Sequence, residues 1–105
     1  MKHCVIASLS FDKTAQRDQM VKAVSSVTAT TVCGETTTSI FIDEAGKPNY
    51  GLVKRYDKKE DMDKLFALIK KQMDLIPALK GSTVSKHPCP HDEGGSCIPR
   101  EEYVK

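Results

Sequence analysis

Hydrophobic side chains recur at helical spacing along residues 57–76, and this is the clearest pattern in the chain. Six apolar residues fall on one helical face: Met62, Leu65, Phe66, Ile69, Met73 and Ile76. Asp57 and Glu60 are spaced as in a capping box and predict the start of the helix. Pro77 cannot continue the hydrogen-bond ladder, so the helix should end at Ile76. We expect a long amphipathic helix that packs its apolar face on a core.

A second helix and four strands are predicted before this long helix. Asp12 is a suitable N-cap for a helix over Lys13–Ser25, which carries apolar residues on one face. Four segments are rich in residues that favour strands: Lys2–Ser10, Thr28–Cys33, Thr36–Ile42 and Tyr50–Tyr56. Both faces of the first segment are largely apolar, which is typical of a central strand. Gly34-Glu35 separates the second and third segments and predicts a hairpin.

This order of elements, β-α-β-β-β-α, predicts an α+β fold. We expect a three- to four-stranded antiparallel sheet with two helices packed on one face, formed by residues 1–80. Residues 81–105 are expected to be a tail rich in proline, glycine, cysteine and histidine, with few large hydrophobic residues. If Ser82–Ser85 adds one more strand, the topology approaches a ferredoxin-like split βαβ arrangement.

Length and charge restrict the range of functions. The chain has 105 residues and a formal net charge of +2, so it is expected to form one domain without a strong global attraction to polyanions. The chain contains no run of about 18 apolar residues, which a membrane-spanning helix would require. No signal-peptide pattern is present either, so we expect a cytoplasmic protein with no membrane partner. Four cysteines in that compartment are expected to be thiols or metal ligands.

The segment with the most suggestive chemistry lies in the predicted tail. Four candidate zinc ligands occur within eleven residues: His87, Cys89, His91 and Cys97. Three interpretations remain open: a ligand-free tail with reduced thiols, a zinc knuckle, or a Cys89–Cys97 disulfide. The expected cofactor is therefore none, or one zinc ion. Bound zinc would explain how such a segment becomes ordered without a core.

A basic segment with interleaved tyrosines is a candidate contact for nucleic acid or another partner. Its residues are Lys47, Tyr50, Lys54, Arg55, Tyr56, Lys58 and Lys59. Basic groups beside aromatic rings can follow a phosphate backbone while the rings stack on bases. The opposing interpretation is an edge strand whose lysines prevent sheet-to-sheet aggregation.

No set of residues predicts a catalytic site. Cys4 and Cys33 lie in predicted strands, where a free cysteine usually behaves as a small buried hydrophobe. His3 is next to Cys4, but neighbours on a strand point to opposite faces and are poorly placed to pair. No phosphate-binding glycine loop, nucleophile elbow or zinc-protease motif occurs. An enzyme is therefore the less favoured class, and no catalytic residue is predicted.

The favoured function is a small non-catalytic binding protein, an adaptor or inhibitor that docks on a larger protein or nucleoprotein assembly. The composition does not predict a deep ligand pocket, which favours surface recognition. Ile98, Tyr103 and Val104 in the tail are candidate docking residues that order on a partner. The alternatives are a zinc-stabilised nucleic-acid-binding module and, third, a thiol-dependent enzyme. Either a monomer or a homodimer is compatible with the sequence.

Overall fold

A computed structural model describes residues 3–28, 36–42, 45–88 and 101–105. Two helices and five strands follow in the order β1 (His3–Ser10), α1 (Thr14–Thr28), β2 (Thr36–Ile42), β3 (Pro48–Tyr56), α2 (Lys59–Leu75), β4 (Thr83–Pro88) and β5 (Glu101–Val104). Neither helix in these ranges combines the length and apolar character that a membrane span requires.

The five strands form one antiparallel sheet in the order β2-β3-β1-β4-β5. β1 lies at the centre, as predicted, with Ala7 opposite Leu52 of β3 on one side and Val84 of β4 on the other. The first six elements and the strand order β2-β3-β1-β4 give the ferredoxin-like arrangement, and β5 extends it beyond β4. The α+β class is confirmed, with five strands rather than three to four.

The core lies between the helices and one face of the sheet. Val5, Ala7 and Leu9 of β1 are buried, whereas Ile6 on the opposite face is 39% exposed. All six residues of the predicted apolar face of α2 are buried, which confirms that prediction. The face of the sheet that points away from the two helices, which includes Ile6, is called the open face below, a name that refers to the described residues.

The predicted helix starts are wrong in detail. α2 begins at Lys59 with Lys58 as its N-cap, and no side chain caps it, so Asp57 does not form a capping box. At α1, the side-chain oxygen of Gln16 accepts hydrogen bonds from the backbone N–H groups of Asp12 and Lys13. The Gln16 side chain thus satisfies two backbone donors just before α1, which begins at Thr14.

The strand predicted over Thr28–Cys33 also differs from the structure at Thr28, the one residue of this segment that the structure describes. α1 continues to Thr28, so this residue is helical. Residues 29–33 and the predicted turn at Gly34-Glu35 lie outside the described residues. The predicted strand Thr36–Ile42 is confirmed as β2 with the same bounds.

The sheet continues past the boundary predicted at residue 80. Gly81 has a positive φ of 98°, which favours glycine, and it turns the chain into β4. Ser82 is 2% exposed, and its hydroxyl accepts a hydrogen bond from the backbone N–H of Ser10 at 2.9 Å. Val84 of β4 is fully buried. β4 and β5, which follow residue 80, therefore belong to the same sheet as β1.

Polar contacts attach β5 to α2. Tyr103 donates a hydrogen bond from its hydroxyl to Asp74 at 2.7 Å, and the Lys105 ammonium donates to the same carboxylate at 3.0 Å. Nearby, the Lys86 ammonium lies 3.0 Å from both Asp63 and Glu101. The short strand β5 is thus held by ion pairs and hydrogen bonds more than by apolar burial.

The contacts of Asp74 predict a pH-dependent contribution to stability. The hydrogen bond from Tyr103, followed by that from Lys105, lowers the pKa of the Asp74 carboxyl below its usual value. Because the folded-state pKa is depressed, this stabilisation is present above the unfolded pKa of about 3.9 and is lost as the pH falls through the folded value. Asp74→Asn should therefore lower the urea midpoint at neutral pH and converge with the parent in acid.

Urea unfolding of both proteins from pH 7 to about pH 2 measures this effect, since that range spans the usual carboxyl pKa. Asp57→Asn is the matched control, because Asp57 is exposed and precedes α2. Parallel pH profiles for Asp74→Asn and the parent would contradict the assigned role of Asp74.

Candidate functional site

The β2 edge of the sheet, defined as β2 and its exposed residues Ile40, Phe41 and Ile42, is the strongest candidate interaction surface. In the described part of the chain β2 pairs with β3 alone, since it ends the strand order. Ile40, Phe41 and Ile42 are 50%, 52% and 65% exposed. The register places Ile40 and Ile42 on the helix side and Phe41 on the open face. Apolar side chains therefore flank the outer edge of β2 on both faces of the sheet.

The two edges of the sheet differ in chemistry. The sequence of β2, TTTSIFI, contains no charged residue and no proline. In contrast, β5 has four residues and carries Glu101 and Glu102. Short length and charge are ordinary means of preventing a strand edge from pairing with another chain. The β5 edge has both protections, and the described β2 edge has neither.

The structure separates the basic residues and tyrosines proposed to contact nucleic acid. Tyr50 and Tyr56 are 3% and 1% exposed and face the core, and burial raises the pKa of Tyr50. Lys54 shares the helix side with them, whereas Arg55 is exposed on the open face. These two rings are therefore not presented for stacking on bases.

The remaining lysines of that segment lie at separate places. Lys47 forms an ion pair with Asp12, at the approach to α1. Lys58 and Lys59 are exposed at the start of α2. The seven predicted contact residues consequently do not form one continuous surface in the described structure.

His87 is the one predicted zinc ligand among the described residues. It is 8% exposed, and its Nε2 atom lies 2.8 Å from the Ser85 hydroxyl oxygen. The other predicted ligands, Cys89, His91 and Cys97, lie outside the described residues. Within the described ranges, no group of three or more metal-ligating side chains is present. The zinc site stays a prediction.

The register places His87 opposite Cys4 on the open face, a pairing that sequence adjacency had not suggested. On its other side Cys4 is opposite Arg55 of β3. Burial raises the pKa of the Cys4 thiol, and the Arg55 guanidinium lowers it to a smaller extent. A nucleophilic thiol needs a lowered pKa, so this environment does not favour one. Cys33 lies outside the described residues.

The predicted docking residues of the tail are only partly described. Tyr103 is half-buried, bonded to Asp74, and has the Lys70 ammonium 5.8 Å from its ring centroid. Val104 is 54% exposed on the β5 edge, and Ile98 lies outside the described residues. The Tyr103 side chain thus helps to attach β5 to α2.

The exposed apolar residues of β2 had no part in the sequence-based site. The stretch TTTSIFI was recognised as a strand, and its lack of charge was the available signal. That signal becomes meaningful only once the strand is known to lie at an edge. The strand order supplies that information.

Comparisons with known proteins support the fold. No family model matches the chain, and no curated protein matches it. Among solved structures, it is similar to a phage SAM lyase in complex with S-methyl-5'-thioadenosine, with a TM-score of 0.50 and 11% identity. That alignment covers 98% of this chain and 88% of the lyase chain. A designed protein with a ferredoxin fold aligns with a TM-score of 0.44 and 10% identity, covering 90% of this chain and 88% of the designed one. At 11% identity, the likeness to the SAM lyase shows a shared α+β fold and nothing more specific.

Proposed function

We propose that this chain is a small non-catalytic binding protein, an adaptor or inhibitor that docks on a larger protein or nucleoprotein assembly. The β2 edge carries the proposal, because among the described strands β2 is an uncharged strand at the end of the sheet, with three exposed apolar residues. An extended segment of the partner would add to β2 as a further strand. Backbone hydrogen bonds would supply affinity in this mode, and alternate side chains would supply specificity.

The exposed residues of β2 fit this mode of recognition. In a strand pair, residues directly opposite each other interact through their side chains. Ile40 and Ile42 would contact one face of the added strand, and Phe41 would contact the other. A partner segment with apolar residues on both faces is therefore expected, in place of a small molecule held in an enclosed pocket.

Charges placed on the β2 edge should weaken partner binding. The partner is first identified by affinity purification from the source cell, and its affinity for the purified chain is then measured by calorimetry. The double variant Ile40→Lys/Ile42→Lys should raise Kd by about tenfold or more, because edge lysines oppose strand addition. Circular dichroism should show a retained fold, since both side chains are at least half exposed.

Leu75→Lys is the control, because Leu75 is an exposed apolar residue at the end of α2, outside the sheet and outside every predicted contact. Its affinity for the partner should equal that of the parent. Equal weakening by both variants, or by neither, would exclude the β2 edge as the docking element. Loss of self-association in Ile40→Lys/Ile42→Lys would instead identify the occupant of β2 as a second copy of this chain.

The zinc-stabilised nucleic-acid-binding module receives less support. Tyr50 and Tyr56 are buried, and the basic residues near them are dispersed. Zinc analysis of the purified protein and a salt-dependent shift with oligonucleotide distinguish this alternative from the binding protein.

An enzyme is the remaining alternative, and S-methyl-5'-thioadenosine, the ligand in the SAM lyase structure, serves as a probe for it, since the shared fold by itself does not argue for that activity. Titration with S-methyl-5'-thioadenosine separates the two proposals. Saturable binding of this nucleoside would favour the enzyme. If the nucleoside gives no heat of binding and the chain still binds its protein partner, the docking function is favoured.

A further inference from the structure

A groove between α1 and α2, with no described residue of β2 in its lining, forms a second candidate surface. Its volume is about 430 Å³. α1 contributes Ser26 and Val27, and α2 contributes Lys64, Ala67, Leu68 and Lys71. Val27, Ala67 and Leu68 provide apolar surface within the groove.

Two lysines flank the apolar part of α2. Lys64, Ala67, Leu68 and Lys71 are spaced i, i+3, i+4 and i+7, which aligns them along one face of the helix. The two lysines are therefore two turns apart, a rise of about 10.5 Å. Among the described residues, no acidic side chain lines the groove. Within the described residues, neither lysine forms an ion pair, and both are exposed.

We propose that this groove binds an acidic amphipathic helix of a protein partner. Apolar side chains one turn apart would contact Val27, Ala67 and Leu68. Carboxylates two turns apart would pair with Lys64 and Lys71, because a partner helix lying along α2 has the same 10.5 Å rise over seven residues, about two turns. The proposal is independent of the β2 edge and gives the chain two docking surfaces.

The apolar part of the groove favours a peptide over a nucleic acid. A phosphate backbone would pair with the two lysines but would gain nothing from Val27 and Leu68. An amphipathic helix satisfies the apolar and the charged positions together. Its carboxylates would also face a groove whose described lining holds no competing acid.

The probe is a synthetic acetylated and amidated helical peptide with two leucines one turn apart and two glutamates two turns apart. It is titrated into the full-length ¹⁵N-labelled chain, and backbone amide shifts are followed. Saturable shifts are expected at Ser26, Ala67 and Leu68, which line the groove. The same peptide with lysines in place of the glutamates should not bind, since its charges would face Lys64 and Lys71.

Lys64→Glu/Lys71→Glu should weaken binding of the acidic peptide by about tenfold or more, because two attractive pairs become repulsive. Lys58→Glu/Lys59→Glu is the matched control: it changes the net charge equally on the same helix but outside the groove. Parent affinity is expected for this control.

Three results would overturn the proposal. The first is equal binding of the acidic and basic peptides, and the second is equal weakening of binding by the two double variants. The third is the absence of a saturable shift at about 1 mM peptide, which would mean a Kd weaker than about 1 mM. Shifts of the groove amides with an oligonucleotide, and none with the acidic peptide, would assign the groove to a nucleic acid instead.

Discussion

A chain that ends at Lys80 is expected to lose its cooperative unfolding transition. The truncation removes β4, which lies between β1 and β5 and pairs with β1 over six residues from His3 to Ser8. It also removes the buried Val84 and the Ser82 hydroxyl that accepts from Ser10. Because a domain is stable by only about 5–15 kcal/mol, loss of a neighbour of the central strand should exceed that margin. Thermal unfolding followed by circular dichroism measures the outcome.

Removal of residues 101–105 alone is the control for this truncation. β5 has four residues and, among the described strands, pairs with β4 at the end of the sheet, so its loss should lower the melting temperature and keep a cooperative transition. A cooperative transition in the chain of residues 1–80, with native-like near-ultraviolet circular dichroism, would contradict the role given to β4. It would instead support the boundary at residue 80 that the sequence predicts.

The long helix could be predicted because its signal is local. Five apolar residues of α2 and its C-cap Ile76 repeat at helical spacing, and all six are buried in the structure. The start of the helix was predicted less well. The sequence favoured Asp57 as the capping residue, but the N-cap in the structure is Lys58. Cap geometry depends on how the chain leaves β3, which the spacing of residues does not specify.

The last two strands were harder to predict because their support is non-local. In β4, the sequence TVSKHP has one large apolar residue, Val84, and the Lys86 side chain on the same face pairs with Asp63 and Glu101. The polar Ser82, just before β4, is buried because it bonds to Ser10, 72 residues earlier. Composition alone therefore predicts a polar tail, whereas pairing with β1 places β4 inside the sheet.

The candidate site was hard to predict for the same reason, because it depends on how distant strands pair. The alternation of Tyr50, Leu52, Lys54 and Tyr56 predicts a strand, but it does not show which face meets the core. The structure places both tyrosines in the core, while Ile40 and Phe41 of β2 are exposed. Whether a strand lies at an edge depends on the order of all strands in the sheet. The function of the β2 edge could therefore be proposed only from the structure.

Shortening one side chain of α2 should have the second-largest effect on stability. Ile69 is fully buried on the helix face that meets the core. Ile69→Ala should cost about 2–5 kcal/mol, since it removes buried methyl and methylene groups and leaves a cavity. For a domain of this size, each kcal/mol lowers the melting temperature by about 4–8 °C. Urea and thermal unfolding of the variant measure the change.

Leu75→Ala isolates the contribution of burial from that of helix propensity. Leu75 lies at the end of the same helix and is 64% exposed, so its shortening should change stability by no more than about 0.5 kcal/mol. Alanine is the best helix former, so both substitutions are neutral or favourable for the helix itself. A large loss in Ile69→Ala must then come from packing against the sheet. Similar values for the two variants would mean that this face of α2 does not form the core, and the fold described above would be wrong at its centre.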